Sequence, residues 1–230
     1  MNCRPANGVL WLSAVDKTPM IPVPVLRNGR LAGNSRFIAA YRENSYTKLI
    51  QSYMTEALKS ITVVIEIPKG SRNKYEFDKK TGQIKFDRML FSAVHYPSDY
   101  GFIPDTLALD GDALDALVLV TEPTFPGCLI EAQPIGLFKM WDEKGPDEKI
   151  LCVPVRDPLW NHINTLEDLP PHMLHEIEHF FQVYKDLEDK KTGTDGWYDL
   201  EKAKEIIRDC RNRFIAENEK SDIEESPSKG

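Results

Sequence analysis

The sequence has no apolar run near the ~20 residues that a membrane-crossing helix requires, which excludes a helical membrane protein. Cysteine is scarce. Cys3, Cys128, Cys152 and Cys210 are scattered and form no CxxC pair. That usage fits the reduced thiols of a cytosolic protein better than a disulfide framework. Acids are nearly missing from residues 1–53, where Asp16 and Glu43 stand against seven Lys and Arg. The whole chain carries −7, so the remainder carries −12. A body that acidic lacks the basic face that neutralises nucleic-acid phosphates. Also missing are GxxxxGK[ST], GxGxxG, GxSxG, the pattern of a secretory signal and any internal repeat.

What is present divides into three stretches. Residues 1–53 mix Pro, Gly, Asn and Arg without a sustained period of 2 or 3.6. They are expected to be a dispensable or disordered leader, either an organelle transit segment or a stretch ahead of a functional start at Met54. The body is expected over residues 54–215, and 216–230 reads as a disordered polar tail. With 41% hydrophobic residues the chain can fill one sizeable core or two small ones. Ile61–Ile67 is β-branched and ends at Pro68, as a strand should. Tyr75–Asp78 and Ile84–Asp87 alternate about a Gly-containing loop, the pattern of a hairpin. Leu114–Val120, Leu129–Phe138 and Ile150–Val155 read as further strands. Helical spacing follows in 172–186, behind Pro170 and Pro171, and in 199–215 with Asp199 as N-cap. Strands first and helices after argue for an α+β fold, a curled antiparallel sheet flanked by two helices.

The chemistry concentrates in Asp110-Gly-Asp-Ala-Leu-Asp115. Three carboxylates within six residues repel one another unless a cation neutralises them. Oxygen donors of this kind suit hard divalent ions. An EF-hand does not fit, because Leu114 and Asp115 occupy the places of its fifth and sixth loop residues. A second acidic group, Asp142 to Lys149, is expected in a loop between strands. Lys74, Arg88, Lys149 and Lys185 are cations able to balance phosphate oxygens. His175-Glu-Ile-Glu-His179 matches the HExxH pattern of zinc proteases on a predicted helix. Its extended continuation is absent, since Gln182 and Lys185 stand where Gly and His belong. A distant Glu201 is a weak third ligand, and two histidines on a polar or subunit-facing helix surface account for the pattern better.

From about Ile61 to Cys210 the chain resembles the soluble family I inorganic pyrophosphatases. The resemblance rests on Val64-Ile-Glu-Ile-Pro68, Lys74-Tyr-Glu76, Asp87-Arg88, Tyr96-Pro-Ser-Asp-Tyr-Gly-Phe-Ile103, Leu109-Asp-Gly-Asp-Ala-Leu-Asp115, Lys139-Met-Trp-Asp-Glu143, Asp147-Glu-Lys149 and Tyr184-Lys-Asp-Leu-Glu188, in that order. The lengths are similar to those of the prokaryotic branch. The resemblance implies a five-stranded OB-type β-barrel with flanking strands and two packed helices. It implies Mg2+-dependent hydrolysis of pyrophosphate to two phosphates by a metal-activated water, with several Mg2+ ions per site. Asp110, Asp115 and Asp147 would hold one metal, with Asp115 bridging to a second. Asp142 and Asp147 would hold a metal arriving with substrate, and Glu66 a further one. Asp112 would accept the water's proton or orient that water. Lys74, Arg88, Tyr100, Tyr184 and Lys185 would bind phosphate oxygens, with Lys149 and Tyr96 close by and Glu76 and Glu143 in support. A cytoplasmic homo-oligomer, a hexamer in that branch, is implied, with neither nucleic acid nor membrane as partner. The family usually has Pro or Glu where this chain has Ala113, which removes rigidity from the loop and no ligand. The rival readings are a barrel that binds divalent metal or phosphate without turnover, and the zinc protease. The first would be expected to have lost Arg88, Asp112, Asp115, Asp147 or Lys185, and all five are kept.

Overall fold

The computed structural model describes residues 2–6, 9–13, 21–27, 30–32, 58–188 and 190–224. The chain divides into two compact units, 1–56 and 57–230. In the first, strands β1 (Asn2–Ala6), β2 (Val9–Ser13), β3 (Ile21–Arg27) and β4 (Arg30–Ala32) pair antiparallel in that order. The period-2 pattern was hard to see here because Pro5, Pro22 and Pro24 interrupt it, prolines that cannot donate to a ladder.

The second unit is α+β. Its strands are β5 (Ile61–Ile67), β6 (Asn73–Asp78), β7 (Gln83–Met89), β8 (Asp99–Phe102), β9 (Asp115–Val118), β10 (Leu129–Asp142), β11 (Gly145–Pro154) and β12 (Gly193–Tyr198). Helices α1 (Pro171–Val183) and α2 (Leu200–Glu224) follow and pack on them. Six strands form a sheet in the order β11-β9-β8-β5-β10-β12, and β10 also pairs with β11. Strands β6 and β7 form a separate hairpin. The sheet is mixed, not wholly antiparallel as the sequence suggested. Lys149 to Cys152 of β11 run parallel to Asp115 to Val118 of β9. A parallel pair needs a long crossover, which a reading of adjacent strands cannot reveal.

Both faces of the central strands are covered. On β11, Ile150 and Cys152 enter one apolar cluster and Leu151 and Val153 the other. On β10, Ala132 and Leu137 divide from Ile135, Phe138 and Met140 in the same way. Strands buried on both sides read as continuous apolar runs, which is what 116–120 and 150–155 are. Helix α2 covers the first cluster with Ala203, Ile206, Ile207 and Cys210. Helix α1 covers the second with Ile177, Phe180 and Phe181, joined by Tyr184. Each Ile and Phe among them contributes about 1.5–3 kcal/mol by leaving water.

The helix ends differ from the sequence reading in two ways. Helix α1 stops at Val183, with Tyr184 as its C-cap, so Lys185 lies just past the end, before the 3-10 turn Asp186–Glu188. Helix α2 is capped by Asp199, whose Oδ1 accepts from the Lys202 N–H at 2.9 Å. It runs through Glu224, nine residues into the stretch read as a polar tail. Apolar periodicity detects only a covered face, whereas residues 216–220 are exposed, with Glu217 and Lys220 paired at 3.3 Å. Residues 225–230 lie outside the described residues.

Candidate active site

Four structural pieces build one cleft of about 510 Å3. The first is the hairpin β10–β11. The acidic stretch 142–149, expected in a loop, lies on its strands, joined by only Glu143 and Lys144. The backbone N–H of Lys144 donates to Asp142 Oδ1 at 2.8 Å and tightens that turn. Asp147 and Lys149 are two apart on β11 and therefore share a face. Lys149 Nζ donates to Asp147, and to Asp115 Oδ2 at 2.7 Å across the parallel β9–β11 pair.

The second piece is the loop from Ile103 to Leu114. The Thr106 hydroxyl donates to the Ile103 carbonyl and accepts from the Leu114 N–H at 2.9 Å, closing the loop. Leu107 docks it onto α2: its N–H donates to the Cys210 carbonyl and its carbonyl accepts from Arg213 Nε, both at 2.9 Å. Inside the loop the Asp112 N–H donates to Asp110 Oδ1 at 3.0 Å. Gly111 sits at φ +90°, where L side chains are strained. Asp110 and Asp112 are exposed at the rim, and among the described residues the Asp112 carboxylate meets only Lys144 at 3.8 Å and Lys79 at 4.0 Å.

The third piece is the hairpin β6–β7. Lys74 pairs with Arg88 and Tyr75 with Phe86, leaving Asp87 as the extra residue of a bulge. Bulges re-aim side chains, and here Lys74, Asp87 and Arg88 all line the cleft. Lys74 Nζ lies 2.7 Å from Glu76 and 3.4 Å from Asp87. The fourth piece is the end of α1. It delivers Tyr184, and Lys185, whose Nζ donates to Asp142 Oδ2 at 2.8 Å.

Fourteen of the expected residues line this cleft: Asp110, Asp112, Asp115, Asp142, Asp147, Glu66, Lys74, Arg88, Tyr96, Tyr100, Tyr184, Lys185, Glu76 and Glu143. Lys149 does not. It is 1% exposed, beneath Asp115 and Asp147 and between the rings of Tyr100 and Phe181. There it steadies the two carboxylates and does not face a ligand. The sequence reading missed Asp87, Lys79, Lys144 and Lys190 as cleft residues. Asp87 had a signal, since it precedes Arg88 in a quoted motif. The three lysines had none, because solvated lysines on turns carry no pattern.

The charges are mutually dependent. Burial pushes the Glu66 carboxyl up to about 7, although the Phe77 N–H donates to it at 2.6 Å, and the nearby Asp115 charge adds to the rise. Burial likewise raises Asp147, opposed by Lys149 and reinforced by Asp115 and Asp142. Burial alone would lower the Lys149 ammonium, yet Asp115 and Asp147 hold it above its usual range. Asp142 lies below its usual range because Lys185 and the Lys144 N–H outweigh its burial. Tyr100 is pushed up by burial and then by Asp115, to which its hydroxyl donates.

The donor set fits hard divalent cations. The lining residues offer carboxylate oxygens and no His or Cys. The raised carboxyls of Glu66 and Asp147 mark burial, and then repulsion from Asp115, that an added cation would offset. Among the described residues no three such ligands already converge on a point, since Asp115 and Asp147 turn to Lys149 and Asp142 to Lys185. His175 and His179 are on the exposed side of α1 and do not line the cleft. Glu201, the weak third ligand, pairs with Lys204 at 2.8 Å on α2.

Comparison with known proteins gives the family. The inorganic pyrophosphatase family model matches residues 63–215. The inorganic pyrophosphatase of Methanosarcina mazei is 60% identical over 159 residues, 69% of this chain and 94% of its own length. That of Halalkalibacterium halodurans is 52% identical over 156 residues, 68% of this chain and 96% of its own. The crystal structure of inorganic pyrophosphatase from Thermus thermophilus superposes with a TM-score of 0.68 at 46% identity, covering 70% of this chain and 94% of that one. Matched over most of its second unit in both sequence and fold, the chain belongs to the inorganic pyrophosphatase family.

Proposed function

We propose that this chain hydrolyses pyrophosphate to two phosphates with the help of several Mg2+ ions. One observation carries the proposal: a single cleft holds five deep or rim carboxylates suited to divalent metal beside cations suited to phosphate. Asp110, Asp115, Asp142, Asp147 and Glu66 would hold the metal ions. Bound Mg2+ would screen the anionic substrate and lower the pKa of the attacking water. Lys74, Arg88 and Lys185, with the hydroxyls of Tyr100 and Tyr184, would bind the phosphate oxygens of pyrophosphate from the ground state through bond breaking. Asp112 would take the proton of the attacking water. Its exposed position with only long ion pairs leaves it free to do so. Lys149 would hold Asp115 and Asp147 in place from below. Glu76 supports Lys74, and Glu143 supports Lys185 and Lys190 at 3.9 and 3.3 Å. Tyr96 packs behind Tyr100, ring centroids 5.5 Å apart.

The finer architecture belongs to the same reading. β5, β8, β9, β11 and β10 pair in sequence and β10 pairs back to β5, which supports a closed five-stranded barrel of the OB type. Among the described residues no helix is long and apolar enough to cross a membrane. We place the protein in the cytoplasm as a homo-oligomer, with the hexamer as the expected state, and residues 1–53 as a leader the activity does not need.

Phosphate release from pyrophosphate tests the activity. Release should vanish with a chelator and return with Mg2+. No release at any Mg2+ concentration, or recovery with zinc alone that His175→Ala abolishes, would overturn the reading.

A further inference from the structure

Arg88 has a second partner that lies outside the cleft. Glu188 ends the 3-10 turn three residues past Lys185, and its side chain is 3% exposed. Its Oε1 accepts from Arg88 Nε at 3.1 Å and its Oε2 from Arg88 Nη2 at 2.7 Å. Both carboxylate oxygens are thus spent on one guanidinium, in the two-pronged geometry that fixes its plane as well as its position. The residues are 100 apart in sequence, so the pair ties hairpin β6–β7 to the segment after α1.

The donor count gives this pair its meaning. A guanidinium has five N–H groups. Glu188 takes one on Nε and one on Nη2, and Asp87 takes one on Nη1. Among the described residues no group takes the other two, one on each Nη nitrogen. Arg88 lines the cleft and Glu188 does not, so the carboxylate cannot itself meet a ligand there.

We propose that Glu188 is a positioning residue for phosphate capture, locking the Arg88 guanidinium so that its two remaining N–H groups are presented to the oxygens of one phosphoryl group. Through the same turn it keeps Arg88 at a fixed distance from Lys185, so the two cations meet pyrophosphate as a preset pair. This deepens the activity proposed above and rests on Arg88 being a phosphate ligand. Losing a positioning residue should weaken substrate binding more than turnover, the sign of an interaction made equally with ground and transition states.

The test is steady-state hydrolysis of pyrophosphate at saturating Mg2+, with melting temperatures, for the full chain and for Glu188→Ala, Glu188→Gln, Arg88→Ala and Glu188→Ala/Arg88→Ala. Glu188→Ala should raise KM about tenfold with a smaller change in kcat. Glu188→Gln keeps one acceptor oxygen and should rise less. The double variant should be no worse than Arg88→Ala within about twofold, because Glu188 has nothing left to position. If Glu188→Ala does not fold, the same cycle is run with Glu188→Gln. A KM unchanged in both Glu188 variants, or losses that multiply in the double variant, overturns the proposal while leaving the activity intact. If Arg88→Ala behaves as the unaltered chain, Arg88 is not a phosphate ligand and the proposal falls with it. If the unaltered chain releases no phosphate, the activity reading itself has failed.

Discussion

Asp115 and Asp112 lie three residues apart and have different surroundings. Asp115 is engaged by Tyr100 and by Lys149 at 2.7 Å, while Asp112 is exposed with only the long contacts of Lys79 and Lys144. Asp115→Asn should therefore weaken Mg2+ binding, and extra Mg2+ should restore part of the activity. Asp112→Asn should keep metal affinity but lose about 10²–10⁴-fold in turnover that Mg2+ cannot restore. Rates measured across a Mg2+ series separate the two, and identical profiles would refute the division. Glu66 gives a stability prediction. Its carboxyl rises from 4.5 to about 7 in the folded protein through burial. The raised value favours the protonated form, so the contribution is intact below about pH 4.5 and lost as pH climbs through 7. In protein stripped of divalent metal, Glu66→Gln should be more stable to urea than the unaltered chain at pH 8, by at most about 3 kcal/mol. The gap should close towards pH 5, and equal stability at pH 8 would contradict it. At this scale the carboxylates and Arg88 were legible from their motifs. The burial of Lys149 was not, because a lysine reads as surface until a structure puts two carboxylates over it.

At the scale of elements, β8 shows why a motif glycine is needed. A Cβ on Gly101 would fall 1.9 Å from the Val64 carbonyl oxygen, since β8 runs against β5 there. Backbone cannot yield as a side-chain tip can. Gly101→Ala should cost more than about 3 kcal/mol, read as a drop in urea midpoint, or prevent folding. A midpoint within error of the unaltered chain would mean the strand pair is less tight. The sequence showed the glycine within Tyr100-Gly-Phe102 but not the strand, because four residues with polar neighbours give no period. β12 escaped for a similar reason, as its Gly193 and Gly196 are depleted in strands. Gly193 lets the Trp141 indole pack where a Cβ would sit, 2.3 Å from the nearest ring atom. The hairpin β10–β11 was cut short at 138 and 150 because its charged end faces the cleft, where hydropathy sees only a loop.

At the scale of the molecule, the chain divides into two compact units with the boundary at 56. Among the described residues the core of the second unit begins at Leu58, 2% exposed. A chain starting at Met54 keeps that residue, so it should fold, retain pyrophosphate hydrolysis within about twofold and melt within a few degrees of the full chain. A large loss on that truncation would make residues 1–53 structural. The α+β class and the two covering helices followed from apolar periodicity. The parallel β9–β11 pair did not, because only the closing of distant strands reveals it.

The long strand β10 has one more consequence. Leu137 to Met140 lie between β11 on one side and β12 on the other, paired with both. Such amides have no edge from which to fray. Their deuterium uptake should be the slowest in the chain, governed by global opening and not by local breathing. The cleft wall that bears Asp142 and Asp147 grows directly from this segment. That wall should therefore exchange more slowly than the exposed Asp110-Gly111-Asp112 turn across the cleft from it.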